Sequence, residues 1–593
     1  MKKIISEISY IFNRKQKLHM LVLLIAIFIG AVFELIGVSL FMPLLSIISE
    51  PEKTEANVFL RAFRDIFGLH DDKSMFIGLA VVIIIIYVVK NIYMSVMYYF
   101  LYCFIYHNQL KVEARLVDCY MKKPYVYHLD HNTSDMIRNI MLDSERLFQL
   151  LLQFLNAISE SVLSVLLVTY LLVTDPVMTV SVALILFISV GLYSGLTRKR
   201  TNRYGQINQE FDGRMHQSIE EALGAVKDIK ILHREKYFVD QFTYGGDRKM
   251  NALIHTNFLG AVPKYLIEMV CIAGILSVMI AKALAGTDLN SMVPELAAFA
   301  VAAFKLLPSV GKVANYLNGI SFLKPSIDLI YHDLKETEDM LRVESRDESS
   351  APDTDNAQAI EISSVSFAYP NTDSDVLHEA SFTVPVGCSV GLIGTTGSGK
   401  TTMADIILGI LFPQSGAVRY GSMNVHDYPM TWAEKLAYIP QTIFLSDATI
   451  RENIAFGIKQ DEIDDTKVWK AVEEAQLTEF VKSLPEELDT KVGERGVRLS
   501  GGQRQRIGIA RALYGDPEFL VLDEATSALD SDTEQAVMEA IDSMHGRKTM
   551  MIIAHRLTTI RNCDLIFEVK DGRVTEVTRE HFEEMLREQA KDE

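Results

Sequence analysis

The chain has 593 residues, 49% of them hydrophobic, and a mean hydropathy of +0.16. This length predicts more than one domain, and the hydropathy is too high for an ordinary soluble enzyme, so we expect a membrane part. Residues 1–335 hold 33 Lys and Arg against 29 Asp and Glu, whereas residues 336–593 hold 25 against 47, giving net charges of +4 and −22. The acidic half lacks the basic surface that a phosphate backbone requires, so no nucleic-acid partner is expected.

The first half contains six apolar stretches long enough to cross a bilayer, which takes about 20 residues. They lie near 18–48, 75–106, 146–173, 176–198, 257–283 and 290–325. Basic residues cluster before the first stretch and after the second and fourth, whereas 286–294 contains none. By the positive-inside rule, we expect both termini in the cytoplasm. Residues 1–335 are therefore predicted to form a multi-pass domain with six spans.

The segments between the spans carry their own pattern. Residues 107–145 and 199–256 read as helical, so we expect long helices that continue into the cytoplasm. At their far ends we expect short helical segments near 131–136 and 222–227, and the alternative is that these segments are ordinary solvated loops. In the first outer loop, a helical stripe is formed by Phe59, Phe63, Ile66 and Phe67. That helix is expected either to lie in the outer membrane interface or to pack on the ends of the spans.

A polar boundary separates the two halves. Residues 336–358 are rich in Glu, Asp and Ser and include Pro352, which predicts a solvated linker. From 359 to 593, short β-rich runs at 389–392, 519–522 and 549–553 alternate with helical stretches. This alternation is typical of a parallel α/β sheet.

A phosphate-binding loop follows the first of these runs and opens a helix, matching Gly-x4-Gly-Lys-Thr. The loop and the first helical residues are Gly394, Thr395, Thr396, Gly397, Ser398, Gly399, Lys400, Thr401 and Thr402. In such loops the backbone N–H groups cradle phosphates, the lysine neutralises the β and γ groups, and the next hydroxyl binds magnesium. ATP and Mg²⁺ are therefore the predicted ligands, with Lys400 at the phosphates and Thr401 at the metal.

Two carboxylates end a second buried run, Val521-Leu522-Asp523-Glu524. Asp523 suits the magnesium shell, and Glu524 suits the polarising of an attacking water as general base. The chain is therefore predicted to hydrolyse ATP.

A second glycine motif, Leu499-Ser500-Gly501-Gly502-Gln503, opens another predicted helix. A serine and glycines at a helix start can close on a γ-phosphate. Together with the phosphate loop, this motif resembles the ABC-type ATPases, whose sites combine halves from two nucleotide domains. The chain has one of each half, so the resemblance implies a dimer. A homodimer is the economical interpretation, and a heterodimer with a different half-transporter is the alternative.

The resemblance implies roles for further residues. Tyr369 corresponds to the aromatic that stacks on adenine, Gln441 to the residue that senses magnesium and water, and Glu494 precedes the signature as it does in exporters. Asp530, in Ser527-Ala528-Leu529-Asp530, matches the loop that crosses the dimer, and His555 matches the switch histidine at the γ-phosphate. The implied fold is an exporter-type α-helical transmembrane domain followed by an α/β nucleotide-binding domain of ABC type.

Charged residues inside spans are candidates for substrate contact because their burial is costly. Four lysines qualify: Lys90, Lys264, Lys305 and Lys312. The potential partners are Glu34 and Glu268, so we expect excess positive charge that suits an anionic substrate such as a pyrophosphate head group. The alternative is that these lysines form ion pairs or extend to the interface.

The whole chain resembles the bacterial flippases of lipid-linked oligosaccharides for protein N-glycosylation. The similarity includes FELIGVSLFMP at 33–43, Ala261-Val262-Pro263-Lys264, Phe304-Lys305-Leu306-Leu307-Pro308 and the outer helix. It implies a protein of the bacterial inner membrane that contacts lipid and translocates an anionic lipid-linked oligosaccharide. Lysines stand where that family has arginines, which keeps the charge but not the bidentate fork.

Several other functions are alternatives to this reading. An exporter of lipid A-type lipids, drugs or peptides belongs to the same class. Six spans and an acidic second half argue against a soluble ABC-type ATPase that acts on DNA or translation. An ATP-gated channel shares every feature named above.

Overall fold

The computed structural model of the chain describes residues 2–40, 43–44, 47, 58–68, 71–174, 176–284, 289–344, 352, 354, 357–370, 372, 374–524, 531–554 and 556–592. The chain forms two compact units. The membrane unit comprises residues 1–123 and 131–342, and the nucleotide unit comprises residues 124–130 and 343–593.

The first 344 residues fold into helices. These are α1 (Lys2–Ile11), α2 (Arg14–Ser39), α3 (Val58–Phe67), α4 (Asp72–Lys122), α5 (Tyr125–Asp130), α6 (Thr133–Arg138), a π-helix (Asn139–Asp143), α7 (Ser144–Thr174), α8 (Pro176–Gly224), α9 (Val226–Leu232), α10 (Glu235–Leu284) and α11 (Leu289–Glu344). The six predicted spans fall in α2, α4, α7, α8, α10 and α11. Within the described ranges, four stretches are long and apolar enough to cross a membrane: Arg14–Gly37, Lys73–Lys122, Thr133–Val173 and Glu235–Ile280.

Buried ion pairs join the long helices beyond their apolar stretches. The Asp143 carboxylate is fully buried and accepts hydrogen bonds from Arg146, Gln209 and Ser326 at 3.2, 3.1 and 2.6 Å. Asp212 accepts from Arg146 in turn, at 2.5 Å. These contacts connect α7, α8 and α11 through the π-helix, which explains how the polar extensions of the spans pack together.

The outer helix α3 packs on α4 with part of its apolar stripe. Leu60 and Phe63 are buried in a cluster with Met75 and Leu79. Ile66 and Phe67 remain 76% and 58% exposed. The stripe therefore serves packing on one side and leaves an apolar edge on the other.

A short segment of the first half belongs to the nucleotide unit, and it lies just before the predicted short segment at 131–136. Pro124 follows the end of α4, and residues 124–130, which contain α5, belong to the nucleotide unit. Val126 packs against the hydrophobic core of that unit. The predicted segment at 131–136 falls mostly in α6 of the membrane unit, and the segment near 222–227 spans the junction of α8 and α9 in the same unit.

Residues 336–344, predicted as the start of the linker, continue α11. Their acidic side chains have basic partners: Lys123 donates to Glu336 at 3.0 Å, and Glu338 pairs with Arg115. The Tyr10 hydroxyl also donates to Glu338, at 2.5 Å. Within 336–344, Glu336 and Glu338 therefore form ion pairs along a helix.

Two sheets form the centre of the nucleotide unit. Their strands are β1 (Ala359–Phe367), β2 (Leu377–Pro385), β3 (Ser389–Ile393), β4 (Ser415–Tyr420), β5 (Met423–Asn424), β6 (Leu436–Ile439), β7 (Phe519–Asp523), β8 (Thr549–Ile553), β9 (Leu565–Lys570) and β10 (Arg573–Glu576). One sheet is antiparallel with the order β2-β1-β4-β5, and the other has the order β10-β9-β3-β8-β7-β6. In the second sheet β9, β3, β8, β7 and β6 run parallel, and β3, β7 and β8 are completely buried, as their continuous apolar runs predict.

Helices cover this core. They are α12 (Lys400–Ile407), α13 (Pro429–Ala433), α14 (Ile450–Ile454), α15 (Asp465–Glu474), α16 (Thr478–Ser483), α17 (Gly501–Leu513), α18 (Ser531–Asp542) and α19 (Arg579–Asp592). Single 3₁₀ turns occur at Gln460–Glu462, Glu487–Asp489, Glu494–Gly496 and Leu557–Ile560.

Candidate ATPase site and membrane cavity

Parallel strands bring the predicted ATP residues to one edge of the second sheet. β3 leads into the phosphate loop, β6 ends just before Gln441, and β7 ends at Asp523. β6 and β7 are hydrogen-bonded neighbours, with Ile439 opposite Leu522. Ligands bind at the carboxyl ends of parallel strands in such sheets. Lys400 and Asp523, which are more than a hundred positions apart in the sequence, therefore lie at the same edge of this sheet.

The phosphate loop is built around glycine backbone geometry. Gly394 and Gly399 have φ angles of 148° and 105°, and a Cβ on Gly394 would lie 2.3 Å from the Val569 carbonyl oxygen. The buried Lys400 ammonium donates to the carbonyl oxygens of Gly394 and Thr395, at 2.9 and 3.0 Å. The loop thus holds a cation at its centre, where phosphate oxygens would bind.

Two carboxylates act on that cation. Burial lowers the pKa of Lys400, while the charges of Glu524 and Asp523 raise it. The lysine therefore lies in the field of both acidic residues, as a shared nucleotide and metal site requires.

The oxygen donors around the loop fit magnesium. Within the part of the chain that the structure describes, no group of three or more His, Cys, Asp or Glu could hold a metal ion by itself. Thr401, Asp523 and Gln441 instead offer single oxygens, an arrangement suited to a Mg²⁺ ion that also binds nucleotide phosphates. The Ser398 hydroxyl is buried and lacks a hydrogen-bond partner among the described residues, so the loop retains an unused donor.

Glu524 is held by the neighbouring strand end. The Gln441 amide donates to its carboxylate with Nε2 2.5 Å from Oε2. The Glu524 backbone has φ 47°, a left-handed conformation that non-glycine residues adopt rarely and often at functional sites. The predicted base and the predicted magnesium sensor are therefore in direct contact.

Two residues near this site were missed from sequence. Tyr438, on β6, donates from its hydroxyl to Asp523 Oδ2 at 3.4 Å. Asp405, on α12, is buried, and burial together with the charge of Asp523 raises its pKa to about 6. The sequence did offer a signal for Asp405, because it is an acidic residue on the phosphate-loop helix, five positions after Lys400.

Tyr369 lies against the phosphate-loop helix. Its ring meets the edge of Phe367 with centroids 5.0 Å apart, and its hydroxyl is 3.1 Å from Thr402 Oγ1. Tyr369 and Thr402, which were each predicted to contact the nucleotide, are therefore in contact with each other.

The signature motif forms a capped helix start. Ser500 Oγ accepts from the Gln503 N–H at 3.2 Å, and the Gln503 side chain accepts from the Ser500 N–H at 2.9 Å. Ser500 and Gly501 are exposed, whereas Gly502 is buried. The Gln503 side chain is therefore engaged in the cap, while Ser500 and Gly501 remain exposed at the start of the helix.

The signature helix also supports the loop after Gln441. A Cβ on Gly508 would lie 2.3 Å from Ile443 Cδ1, so the helix approaches the loop closely. Arg511 donates to the Phe444 carbonyl oxygen at 2.9 Å. Gly508 was not singled out in the sequence because its need for glycine depends on this close approach.

Three of the residues predicted for the ATP site have no structural description of their side chains. Asp530 and His555 lie outside the described residues. Glu494 lies in a 3₁₀ turn, but its side chain is not described.

The membrane unit contains a cavity of about 910 Å³. Its charged lining residues are Glu34, Glu160, Lys264, Glu268 and Lys312. Four long helices contribute them, and Tyr98 of α4 adds an aromatic wall. Two of the four predicted lysines therefore line one cavity.

The lysines differ in their partners. Lys312 pairs with Glu160 at 2.7 Å, and the buried Lys90 pairs with Glu34 at 2.7 Å beside the cavity. Lys264 and Glu268 are exposed to the cavity, and neither forms an ion pair with a described residue. The side chain of Lys305 lies outside the described part of the chain.

The expected excess of positive charge is absent among the described residues. The potential partners named from the sequence were Glu34 and Glu268 but not Glu160. With Glu160 included, three lysines (Lys90, Lys264 and Lys312) are balanced by three glutamates in or beside the cavity. The signal was present, since Glu160 is the one acidic residue in the predicted span 146–173. Its role became visible only when the structure placed it against Lys312.

Comparison with known proteins agrees with this architecture. The family model for the ABC transporter transmembrane region matches residues 15–282, and that for the ABC transporter matches residues 377–527. An ATP-dependent lipid A-core flippase of Burkholderia pseudomallei is 30% identical over 425 residues, which cover 71% of this chain and 70% of the relative. A flippase of the same name from Cupriavidus pinatubonensis is 29% identical over 471 residues, covering 79% and 78%.

A solved bacterial Atm1-family ABC exporter with ATP bound superimposes with a TM-score of 0.74 over 97% of both chains at 19% identity, which shows the shared fold. The similarity to oligosaccharide-lipid flippases stays a prediction. A membrane region followed by an ATPase domain with these motifs places the chain in the ABC transporter family, as an exporter-type half-transporter that couples ATP hydrolysis to transport.

Proposed function

We propose that the protein transports an amphipathic lipid with a phosphorylated head group across the membrane. The observation that carries this proposal is the cavity, where Lys264 has no ion-pair partner among the described residues and Lys312 is 56% exposed in its pair with Glu160. An anionic head group would bind Lys264 directly and compete with Glu160 for Lys312.

Two further lysines belong to this proposal. Lys90 neutralises Glu34 in the cavity wall, which reduces repulsion of an anion. Lys305 stays a predicted contact on the same helix as Lys312.

A polyprenyl-pyrophosphate glycan is the specific substrate that we propose first. A tyrosine ladder supports a glycan: Tyr98, Tyr102 and Tyr106 stand one helical turn apart on α4, with centroids 6.3 and 6.5 Å apart along the series. Tyr102 and Tyr106 are 45% and 65% exposed, and Tyr98 lines the cavity. Aromatic faces suit the apolar faces of sugar rings.

A lipid A-type lipid is the second candidate. The relatives named above are lipid A-core flippases and match most of the chain. Such a lipid also presents phosphate groups to a lysine-containing cavity.

We also propose that two copies of the chain form the transporter. The exposed Ser500 and Gly501 of one copy would close on the nucleotide held by the phosphate loop of the other, supported by the single phosphate loop and single signature in the chain. Asp530 would contact the opposite copy in this arrangement. The distribution of basic residues supports a bacterial inner-membrane location with both termini in the cytoplasm.

Within each site, the proposed roles follow from chemistry. Lys400 and the loop N–H groups bind the phosphates, Tyr369 stacks on adenine, and His555 contacts the γ-phosphate. Thr401, Asp523 and Gln441 would hold Mg²⁺, which would supply charge neutralisation when bound. Glu524 accepts the proton of the attacking water, and its contact with Gln441 couples the base to the metal shell.

Reconstitution in proteoliposomes tests the substrate. ATPase stimulation and ATP-dependent translocation should be compared for a pyrophosphate-linked glycolipid, its glycan-free parent lipid, lipid A, a neutral lipid and a cationic drug. We expect stimulation by the phosphorylated lipids and, for the glycan substrate, a response larger than that to lipid A.

The tyrosines provide a matched test of the glycan. Tyr102→Ala with Tyr106→Ala should lower the response to the glycolipid severalfold, whereas Tyr99→Ala, an exposed neighbour outside the ladder, should not. Stimulation by the cationic drug alone would refute the phosphorylated-lipid proposal. Equal responses to the glycolipid and its glycan-free parent would refute the glycan assignment only.

A further inference from the structure

A second pocket of the membrane unit, of about 500 Å³, lies between α1, α8 and α11. It shares no lining residue with the cavity described above. Its basic lining residues are Arg198, Lys199 and Lys324, and it has no acidic lining residue. It is therefore a separate, positively charged site.

The pocket lies where α8 changes from apolar to basic. Residues 176–197 are free of charge, and Arg198 and Lys199 begin the basic run after the predicted fourth span. Such a change marks the membrane–water interface. Tyr193 and Leu317 line the pocket together with these basic residues, so apolar and charged surface meet within it.

The polar groups of the pocket have capacity for a ligand. Arg198 and Lys199 are exposed and form no ion pair with a described residue. Lys324 donates to Asp328 at 2.8 Å, and Asp328 also pairs with Lys3 of α1 at 3.1 Å. The first two side chains therefore offer the charge that is not already neutralised.

One amide adds a second requirement. The Asn202 side-chain oxygen is shielded from solvent and has no hydrogen-bond partner in the described part of the chain. A buried acceptor without a donor is costly, and rotation of the Asn202 side chain towards a ligand hydroxyl in the pocket would satisfy it. The pocket thus combines two cations for a phosphate with one acceptor for a hydroxyl.

We infer that this pocket binds the head group of an anionic membrane lipid that carries a phosphate and a hydroxyl, such as phosphatidylglycerol. Arg198 and Lys199 contact the phosphate, Asn202 accepts from the hydroxyl, and the acyl chains leave along the apolar side at Tyr193. Basic pockets between spanning helices are suited to such head groups. The inference does not depend on the transported substrate. A free phosphate ester would share the head-group chemistry, but not the apolar surface.

Native mass spectrometry of the full-length protein in detergent tests the inference. Phosphatidylglycerol, phosphatidic acid and phosphatidylcholine are titrated separately, and glycerol 3-phosphate is added as a soluble competitor. Arg198→Gln with Lys199→Gln should weaken binding of phosphatidylglycerol about tenfold. The charge-matched control, Lys227→Gln with Lys236→Gln, changes exposed residues outside the pocket and should leave binding unchanged.

Asn202→Ala tests the hydroxyl contact separately. It should weaken phosphatidylglycerol but not phosphatidic acid, whose head group lacks the glycerol hydroxyls. Equal binding of phosphatidylglycerol and phosphatidylcholine to the unmodified protein would overturn the inference. So would equal losses in the pocket and control variants, or displacement of the lipid by glycerol 3-phosphate at equal concentration.

Discussion

The ATP site and the membrane cavity bring their charged residues together in different ways. At the ATP site, Asp523 and Glu524 lie at the end of the buried strand β7, and Lys400 opens the helix that follows β3 and the phosphate loop in the same sheet. In the cavity, charged residues come from four separate helices, and Lys312 is paired with a glutamate of another helix. The first site is assembled by local backbone geometry, whereas the second depends on which helices meet. Substitutions should therefore act on chemistry in the first and on binding or stability in the second.

The largest effect is expected for Glu524→Gln. Loss of the proposed base should reduce ATP turnover about a thousandfold while the phosphate loop still binds ATP. Single-turnover hydrolysis and nucleotide binding by the purified full-length protein would measure the two effects separately. Normal turnover by this variant would contradict the assignment of Glu524 as the base. It would also contradict the expectation that substitutions at the ATP site act on chemistry.

Lys90→Met should destabilise the membrane unit. Breaking a buried ion pair leaves Glu34 without its lysine, so we expect the free energy of unfolding to fall by about 3 kcal/mol. Denaturant unfolding in detergent provides the measurement. Lys230→Met removes an exposed pair with Glu235 and should leave the free energy of unfolding nearly unchanged. Similar losses of unfolding free energy in Lys90→Met and Lys230→Met would show that the buried ion pair stabilises the protein no more than the exposed one.

Lys264→Gln should separate transport from hydrolysis. Removing this cavity lysine should reduce stimulation by a phosphorylated lipid about tenfold and leave basal ATPase activity unchanged. Glu160→Gln should act in the opposite direction, since it frees Lys312 for the head group. Parallel ATPase titrations in proteoliposomes measure both variants. A loss of basal activity with Lys264→Gln, or a loss of stimulation with Glu160→Gln, would argue against the proposed competition.

The smallest effect concerns Asp405. Its pKa of about 6 in the folded protein lies above the reference value of 3.8, so the folded state binds this proton more tightly than the unfolded state. Its contribution to stability is therefore lost as pH rises from about 4 to about 6. Asp405→Asn should raise the free energy of unfolding by about 1 kcal/mol at about pH 8 and have less effect towards pH 4.

Asp489 provides a control of opposite sign. The hydrogen bond from Arg451 lowers the pKa of Asp489, so its contribution is present at neutral pH and is lost on acidification. Asp489→Asn should therefore destabilise the protein at about pH 8. Unfolding curves at two pH values distinguish the variants, and a pH-independent effect of Asp405→Asn would contradict the assigned burial.

Local patterns were sufficient where function depends on short segments. The phosphate loop, the signature and Asp523-Glu524 each lie within a few residues, and glycine backbone requirements or continuous buried strands mark them directly. Conversely, the contact of Tyr438 with Asp523 and the close approach of Gly508 to Ile443 join separate segments. The hydrophobic periodicity of one segment does not indicate its distance from another segment. The helical continuation at 336–344 was not predicted for the same reason, since the partners of Glu336 and Glu338 lie more than 200 positions away.

The sequence by itself determined the exporter-type architecture and the presence of an ABC-type ATPase domain, because hydropathy over spans and motif spacing are properties of contiguous residues. The tertiary structure alone decided which charges meet. It paired Lys312 with Glu160 and Lys90 with Glu34, left Lys264 without an ion-pair partner among the described residues, and brought Arg198, Lys199 and Asn202 into one pocket. The physical reason is that an ion pair or a pocket depends on distances of a few ångströms between helices, and those distances follow from packing.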